Sequence, residues 1–136
     1  MNEPRWVLKG VVVAVHRLLI DEHGGKPGIR DEVLLESALS RPRQRFSYES
    51  ESTLFDLAAA YGFGLAKNHP FIDGNKRAAL AIAALFLELN GFSLDAPEPE
   101  AVVMIENLAA SNLSESEFAL WLRDSAMPTD PGQAEE

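Results

Sequence analysis

The chain has 136 residues, no cysteine and a formal net charge of −9. That length suits one domain able to bury its own core, and the lack of thiols excludes a disulfide framework and thiol catalysis while fitting a reducing cytoplasm. A strongly acidic balance argues against direct nucleic-acid binding, which relies on Lys and Arg neutralising phosphates. The charge is unevenly spread. Residues 1–77 hold 11 of the 12 Lys and Arg against 10 acids, whereas residues 78–136 hold only Arg123 against 11 acids. Positive charge is therefore concentrated in the half where an anionic ligand would bind, and the acidic remainder serves solubility. The longest apolar run, Ala78 to Leu87, is about half of the ~20 residues needed to cross a bilayer. The apolar stretch Gly10 to Val15 is too short for a signal peptide, and His16 and Arg17 break it. The expectation is a cytoplasmic protein with no membrane segment.

Leu8, Val11, Val12, Val15, Leu18 and Leu19 recur at helical spacing and predict a first helix that stops at Gly24 and Gly25. On it His16 is expected at the helix surface, with His23 at the helix end. Asp31 is a suitable N-cap for a second helix through about Leu39, ended by Pro42. Residues 42–50, PRQRFSYES, lack a helical period and predict a short hairpin or flap. Thr53 and Asp56 form a capping box for a third helix, whose buried stripe is Leu54, Leu57, Ala58, Tyr61 and Leu65. It should end near Asn68, because Pro70 restricts His69 to extended backbone. A fourth helix, about Asn75 to Asn90, is apolar on nearly every side and should run through the centre, ending at Gly91. Pro97 and Pro99 precede a fifth helix to about Ala110, and Ser114 with Glu117 caps a sixth to about Ser125. With no further strand and no repeat, the chain reads as an all-α bundle of about six helices over residues 1–126, followed by a disordered tail, 127–136.

The run HPFIDGNKR, His69 to Arg77, gathers a proton acceptor, a carboxylate, a glycine turn and two cations. An imidazole exchanges protons near neutral pH, and a carboxylate such as Asp73 offers hard oxygen to a divalent cation or an N-cap to the next helix. Gly74 gives the backbone freedom to approach a ligand closely. The N-terminus of the fourth helix would then present N–H groups to phosphate. Lys76 and Arg77 stand in the first turn, where the macrodipole disfavours cations, so an anionic ligand would resolve the conflict. Phe71 is expected to pack in the core and anchor the loop.

This run resembles the signature of the Fic/Doc superfamily, HPFx(D/E)GNGRxxR in its Fic branch and HxFx(D/E)GNKR in its death-on-curing (Doc) branch. It follows the Doc form, with Lys76 where Fic proteins carry a second glycine and Leu80 where they carry a closing arginine. Residues 24–42 and 56–71 are also similar to Doc proteins, and the likeness spans most of residues 5–125. The resemblance implies a helical fold, His69 as the general base, Asp73 as the Mg²⁺ ligand, and Gly74, Asn75, Lys76 and Arg77 as the ATP-phosphate cradle, with Arg77 also serving catalysis. Ala78 departs from the threonine that many Doc motifs carry. By the same likeness Arg43, Gln44, Arg45, Phe46 and Tyr48 form a flap that pairs with an extended target peptide.

The Doc form implies transfer of the γ-phosphate of ATP to a Ser or Thr hydroxyl, with elongation factor Tu as the protein substrate and arrest of translation as the outcome. AMP transfer of the Fic kind is one alternative. A catalytically silent module acting with its antitoxin in repression is another. No (S/T)xxxE(G/N) inhibitory run occurs, so restraint would come from a separate Phd-like antitoxin chain.

Overall fold

A computed structural model describes residues 1–129. The order is α1 (Lys9–His23), α2 (Glu32–Tyr48), α3 (Leu54–Asn68), α4 (Asn75–Leu89), β1 (Phe92–Leu94), α5 (Glu98–Ala109), α6 (Glu115–Ser125) and β2 (Ala126–Pro128). The chain is thus a bundle of six helices with one small antiparallel sheet among the described residues. No helix there is long and apolar enough to cross a membrane.

The capping residues act as their chemistry dictates. The Asp31 carboxylate accepts from Leu34 N–H at 3.0 Å. Thr53 and Asp56 close a reciprocal capping box, as do Ser114 and Glu117. The backbone N–H and hydroxyl of Ser114 hold the Glu117 carboxyl below its usual range.

The centre of the bundle is α3 rather than α4. Nine α3 residues are buried: Leu57, Ala58, Ala59, Ala60, Tyr61, Gly62, Gly64, Leu65 and Ala66. Its many small side chains let α2, α4, α5 and α6 all pack against it. By contrast α4 buries one stripe, Ala78, Ala79, Ile82, Ala83, Phe86 and Leu87, at the i, i+4 spacing of a single face. Apolar composition all round misled the sequence reading, because partly covered Leu80 and Leu85 flank that stripe.

Three further expectations give way. First, no flap hairpin forms at residues 42–50, because α2 continues to Tyr48 with Pro42 inside it. A mid-helix proline costs about 3 kcal/mol, yet Pro42 is buried on the face that carries Leu35 and Ala38. Beyond it, Arg45 pairs with Glu49 at 3.0 Å and with Glu115 of α6 at 3.3 Å. Phe46 packs edge-on against Trp6, with ring centroids 5.7 Å apart. Burial and ion pairing together outweigh the lost hydrogen bond. Second, Met127 and Pro128 belong to a strand, pairing with Ser93 and Phe92; the rest of the expected tail, from residue 130, lies outside the described residues. Three-residue strands are too short to show a period of two. Third, His16 is buried at 3% exposure rather than lying at the helix surface.

The segment before α1 is also tied down. Asn90 at the end of α4 accepts from Arg5 N–H at 2.8 Å and donates to Arg5 C=O at 3.0 Å, and the buried Tyr61 hydroxyl accepts from Val7 N–H at 3.0 Å. Burial pushes the Tyr61 phenol pKa up.

At the α2–α3 crossing a Cβ on Gly64 would meet Ala38 Cα at 3.0 Å and Ala38 Cβ at 3.1 Å. Gly64→Val should therefore force the helices apart and destabilise the protein by about 1–3 kcal/mol, measured as a lower midpoint in urea unfolding with an unchanged slope.

Candidate functional site

The motif forms the loop between α3 and α4, and its two halves are held by different parts of the chain. His69 is the C-cap of α3 and lies in the left-handed region, φ 48°, ψ 55°, not in the extended backbone that the following proline favours. Histidine enters this region more readily than most residues, and the conformation needs support from its surroundings. Arg30 supplies it. Its Nε donates to His69 C=O at 2.7 Å and its Nη2 donates to Asn68 C=O at 2.9 Å, occupying carbonyls that the end of α3 leaves without helical partners. The next carbonyl, of Pro70, accepts from Arg30 N–H at 2.7 Å and Asp31 N–H at 3.0 Å. The His69 side chain is left exposed.

Two residues on, Ile72 N–H donates to Gly28 C=O at 3.1 Å, and Phe71 forms an antiparallel bridge with Ile29. Segment 25–31 therefore runs beside the motif as a short backbone splint. Phe71 is buried at 1% exposure within the main core, so the backbone from Asn68 to Ile72 is held at successive residues while the His69 and Asp73 side chains stay exposed.

Asn75 has a role that spacing alone did not reveal. Its Oδ1 accepts from Phe71 N–H at 2.9 Å and its Nδ2 donates to Phe71 C=O at 3.0 Å. The amide oxygen and one of the two amide hydrogens are thereby engaged in clamping the loop, which leaves the second amide hydrogen and the Asn75 backbone N–H as donors. The N-cap of α4 is Gly74 at φ 72°, ψ 24°, not Asp73, and no side chain caps the helix. The first-turn N–H groups consequently keep their capacity to bind an anion. Lys76 and Arg77 are exposed and form no ion pair among the described residues. Ala78 is fully buried.

The Asp73 carboxylate is exposed but oriented. Its Oδ1 accepts from Gly74 N–H at 3.0 Å and its Oδ2 from Lys26 N–H at 3.3 Å. A Cβ on Gly25 would lie 2.9 Å from Oδ2, so glycine leaves the space the carboxylate occupies. Among the described residues no three His, Cys, Asp or Glu side chains are grouped to hold a metal ion. One oriented carboxylate beside a helix N-terminus without a side-chain cap fits Mg²⁺, which commonly takes one or two carboxylates and completes its shell with substrate phosphate oxygens and waters.

Arg43, Gln44, Arg45, Phe46 and Tyr48 do not form a flap beside this loop. Arg45 is taken up by Glu49, Asp56 and Glu115, Arg43 lies over the Trp6 ring at 5.0 Å, Phe46 is half-buried, and Gln44 and Tyr48 are exposed. Lying on one helix, these residues offer no strand edge to an extended peptide. Two open cavities, of about 200 and 490 Å³, are lined by none of the motif residues; His69, Ile72, Asp73, Lys76 and Arg77 are exposed. Sequence reasoning missed Arg30 and His16. The signal for Arg30 was its place beside the Asp31 N-cap, but a helix-capping contact across 39 residues leaves no periodic trace.

The Fic/DOC family profile matches residues 6–87, more than half of the chain. A relative from Escherichia phage P1, named Protein kinase doc, is 36% identical over 112 residues, covering 82% of this chain and 88% of the relative. Another, Toxin Doc from Mycolicibacterium smegmatis, is 43% identical over 74 residues, 54% of this chain and 57% of the relative. The paired loops, the core-anchored Phe71 and the exposed His69, Asp73, Lys76 and Arg77 are therefore features of a chain that belongs to the Fic/DOC family, in its death-on-curing branch.

Proposed function

We propose that this chain is a Doc-type toxin that transfers the γ-phosphate of ATP to a Ser or Thr hydroxyl of a protein substrate, with elongation factor Tu as that substrate. The observation that carries this reading is the N-terminus of α4 without a side-chain cap, with Lys76 and Arg77 exposed in its first turn and in no ion pair among the described residues. Exposed cations at a helix N-terminus oppose the macrodipole unless an anion joins them. The name of the P1 relative supports a kinase, and so does Lys76, whose long cationic side chain fills the place where an AMP-transferring site would bring phosphate to bare glycine backbone.

In this mechanism a ring nitrogen of His69 accepts the proton of the attacking hydroxyl. The hydroxyl oxygen forms a bond to the γ-phosphorus, the bond from that phosphorus to the bridging oxygen breaks, and ADP departs. Asp73 would hold Mg²⁺, which would supply positive charge against the phosphate oxygens. Lys76, Arg77 and the first-turn N–H groups of α4 bind the phosphate oxygens, so catalysis rests on positioning and charge. Arg30 acts on this chemistry through backbone alone, holding the left-handed turn that aims His69. The exposed motif and the absence of an (S/T)xxxE(G/N) run support restraint by a separate Phd-like antitoxin.

The test incubates the protein with Mg²⁺, bacterial lysate and either α- or γ-labelled ATP. Label on a single protein from γ-ATP only, lost in His69→Ala while that variant stays folded, is the expected result; label from α-ATP would move the chain to AMP transfer. Asp73→Ala, or EDTA added to the native protein, should abolish labelling as well. Arg30→Ala should lower kcat by about 10- to 100-fold with little change in the KM for ATP, because misplacing a reacting group by about 1 Å costs that much.

A further inference from the structure

His16 lies in the middle of α1, outside the motif, and is one of only two buried polar residues among those described, the other being Ser52. Its ring is stacked on Phe71 with centroids 3.8 Å apart and planes 6° from parallel. Its Nε2 lies 2.8 Å from the Asp73 carbonyl oxygen. A carbonyl oxygen only accepts, so Nε2 carries the hydrogen and donates it. A single side chain thus grips the motif loop at two points, the ring of Phe71 and the backbone of Asp73.

The same face of α1 continues one turn later with Ile20. Its Cδ1 would lie 3.1 Å from a Cβ on Gly25 and 3.2 Å from one on Gly74, and His16 Nε2 would lie 3.7 Å from the latter. His16 and Ile20 are therefore the floor on which the Asp73–Gly74 turn and Gly25 rest. The peptide between Asp73 and Gly74 matters because it links the carboxylate to the start of α4. Rotation there would swing the Asp73 carboxylate and the first-turn N–H groups together. The contact from His16 opposes that rotation, while the N–H groups of Gly74 and Lys26 fix the carboxylate itself.

We infer that His16 is a positioning residue for the metal and phosphate site, acting through the Asp73 backbone carbonyl to set the direction of the Asp73 carboxylate and the N-terminus of α4. This rests on the reading of Asp73 as a Mg²⁺ ligand, and it differs from a purely structural role in what must be preserved. Core packing needs the flat ring on Phe71. Positioning needs the donor to Asp73 C=O.

Two variants separate these needs. His16→Phe keeps an aromatic ring and removes the donor, whereas His16→Gln removes the ring and keeps an amide N–H of similar reach. Each full-length variant would be compared with the native protein by amide hydrogen exchange without nucleotide, and by the Mg²⁺ concentration needed for half-maximal ATP binding. His16→Phe should speed exchange at residues 71–75 about tenfold and raise the Mg²⁺ requirement about tenfold, as lost support behind a metal ligand does. His16→Gln should stay within about threefold of native in Mg²⁺ requirement, and this variant decides the matter if His16→Phe does not fold. Native-like exchange and Mg²⁺ dependence in His16→Phe would overturn the inference. So would faster exchange with an unchanged Mg²⁺ requirement, a Gln variant as impaired as Phe, or failure of both variants to fold. ATP binding by native protein that needs no Mg²⁺ would sink the functional reading and this inference with it, and it is visible before any variant is compared.

Discussion

Phe71 is the constraint on which the site depends. A loop that exposes a base, a carboxylate and two cations has little apolar surface of its own, and backbone between two helices is free to move unless something ties it to the core. Phe71 provides that tie, buried in the main core between His69 and Asp73. Its backbone is bracketed by both ends of the Asn75 amide, its ring by His16, and its strand-like edge by Ile29. With Pro70 and Phe71 buried, His69 before them and Asp73 after them are exposed on a backbone that has little freedom.

The loop is also held from segment 25–31, remote in sequence from the motif. Arg30 binds the carbonyls before and at His69, Gly28 pairs with Ile72, and Lys26 meets the Asp73 carboxylate. Each of these contacts involves backbone on at least one side. The arrangement tolerates variation in the supporting side chains while preserving the path of the chain, except at Arg30 and at Gly25, where a Cβ would enter the space of the carboxylate. Rigid placement of this kind suits phosphoryl transfer, in which positioning and charge neutralisation do most of the catalytic work.

The remainder of the bundle serves this end through α3. Small residues on several faces allow four helices to approach it, so its C-terminus, where His69 begins, is anchored by most of the molecule. The ion pairs from Arg41 and Arg45 to Glu115 link α2 to the start of α6 near the surface, and the one from Arg45 lies on the part of α2 beyond Pro42. Conversion of the expected flap into helix leaves no strand edge at residues 42–48.

Much of this was legible in the residues themselves. Capping boxes at Thr53 and Ser114, the Asp31 cap and the glycines after α1 and α4 are local devices, satisfied within a few residues, so they mark helix ends without knowledge of the fold. The motif likewise declared its family, because its chemistry is packed into one continuous run. What the sequence could not supply were outcomes decided by contacts across long separations. Pro42 stayed helical because of burial and partners on α6, His16 turned inward because Phe71 and Asp73 lie beneath it, and His69 took a left-handed turn because Arg30 holds its carbonyl. Composition placed α4 at the centre, yet the small side chains of α3 won that position by admitting neighbours on every side. The sequence by itself determined that six helices form, most of their ends, and the run that carries the candidate groups; tertiary structure alone decided how far α2 extends and which backbone each group would be held by, since that depends on partners brought together only when the chain closes on its core.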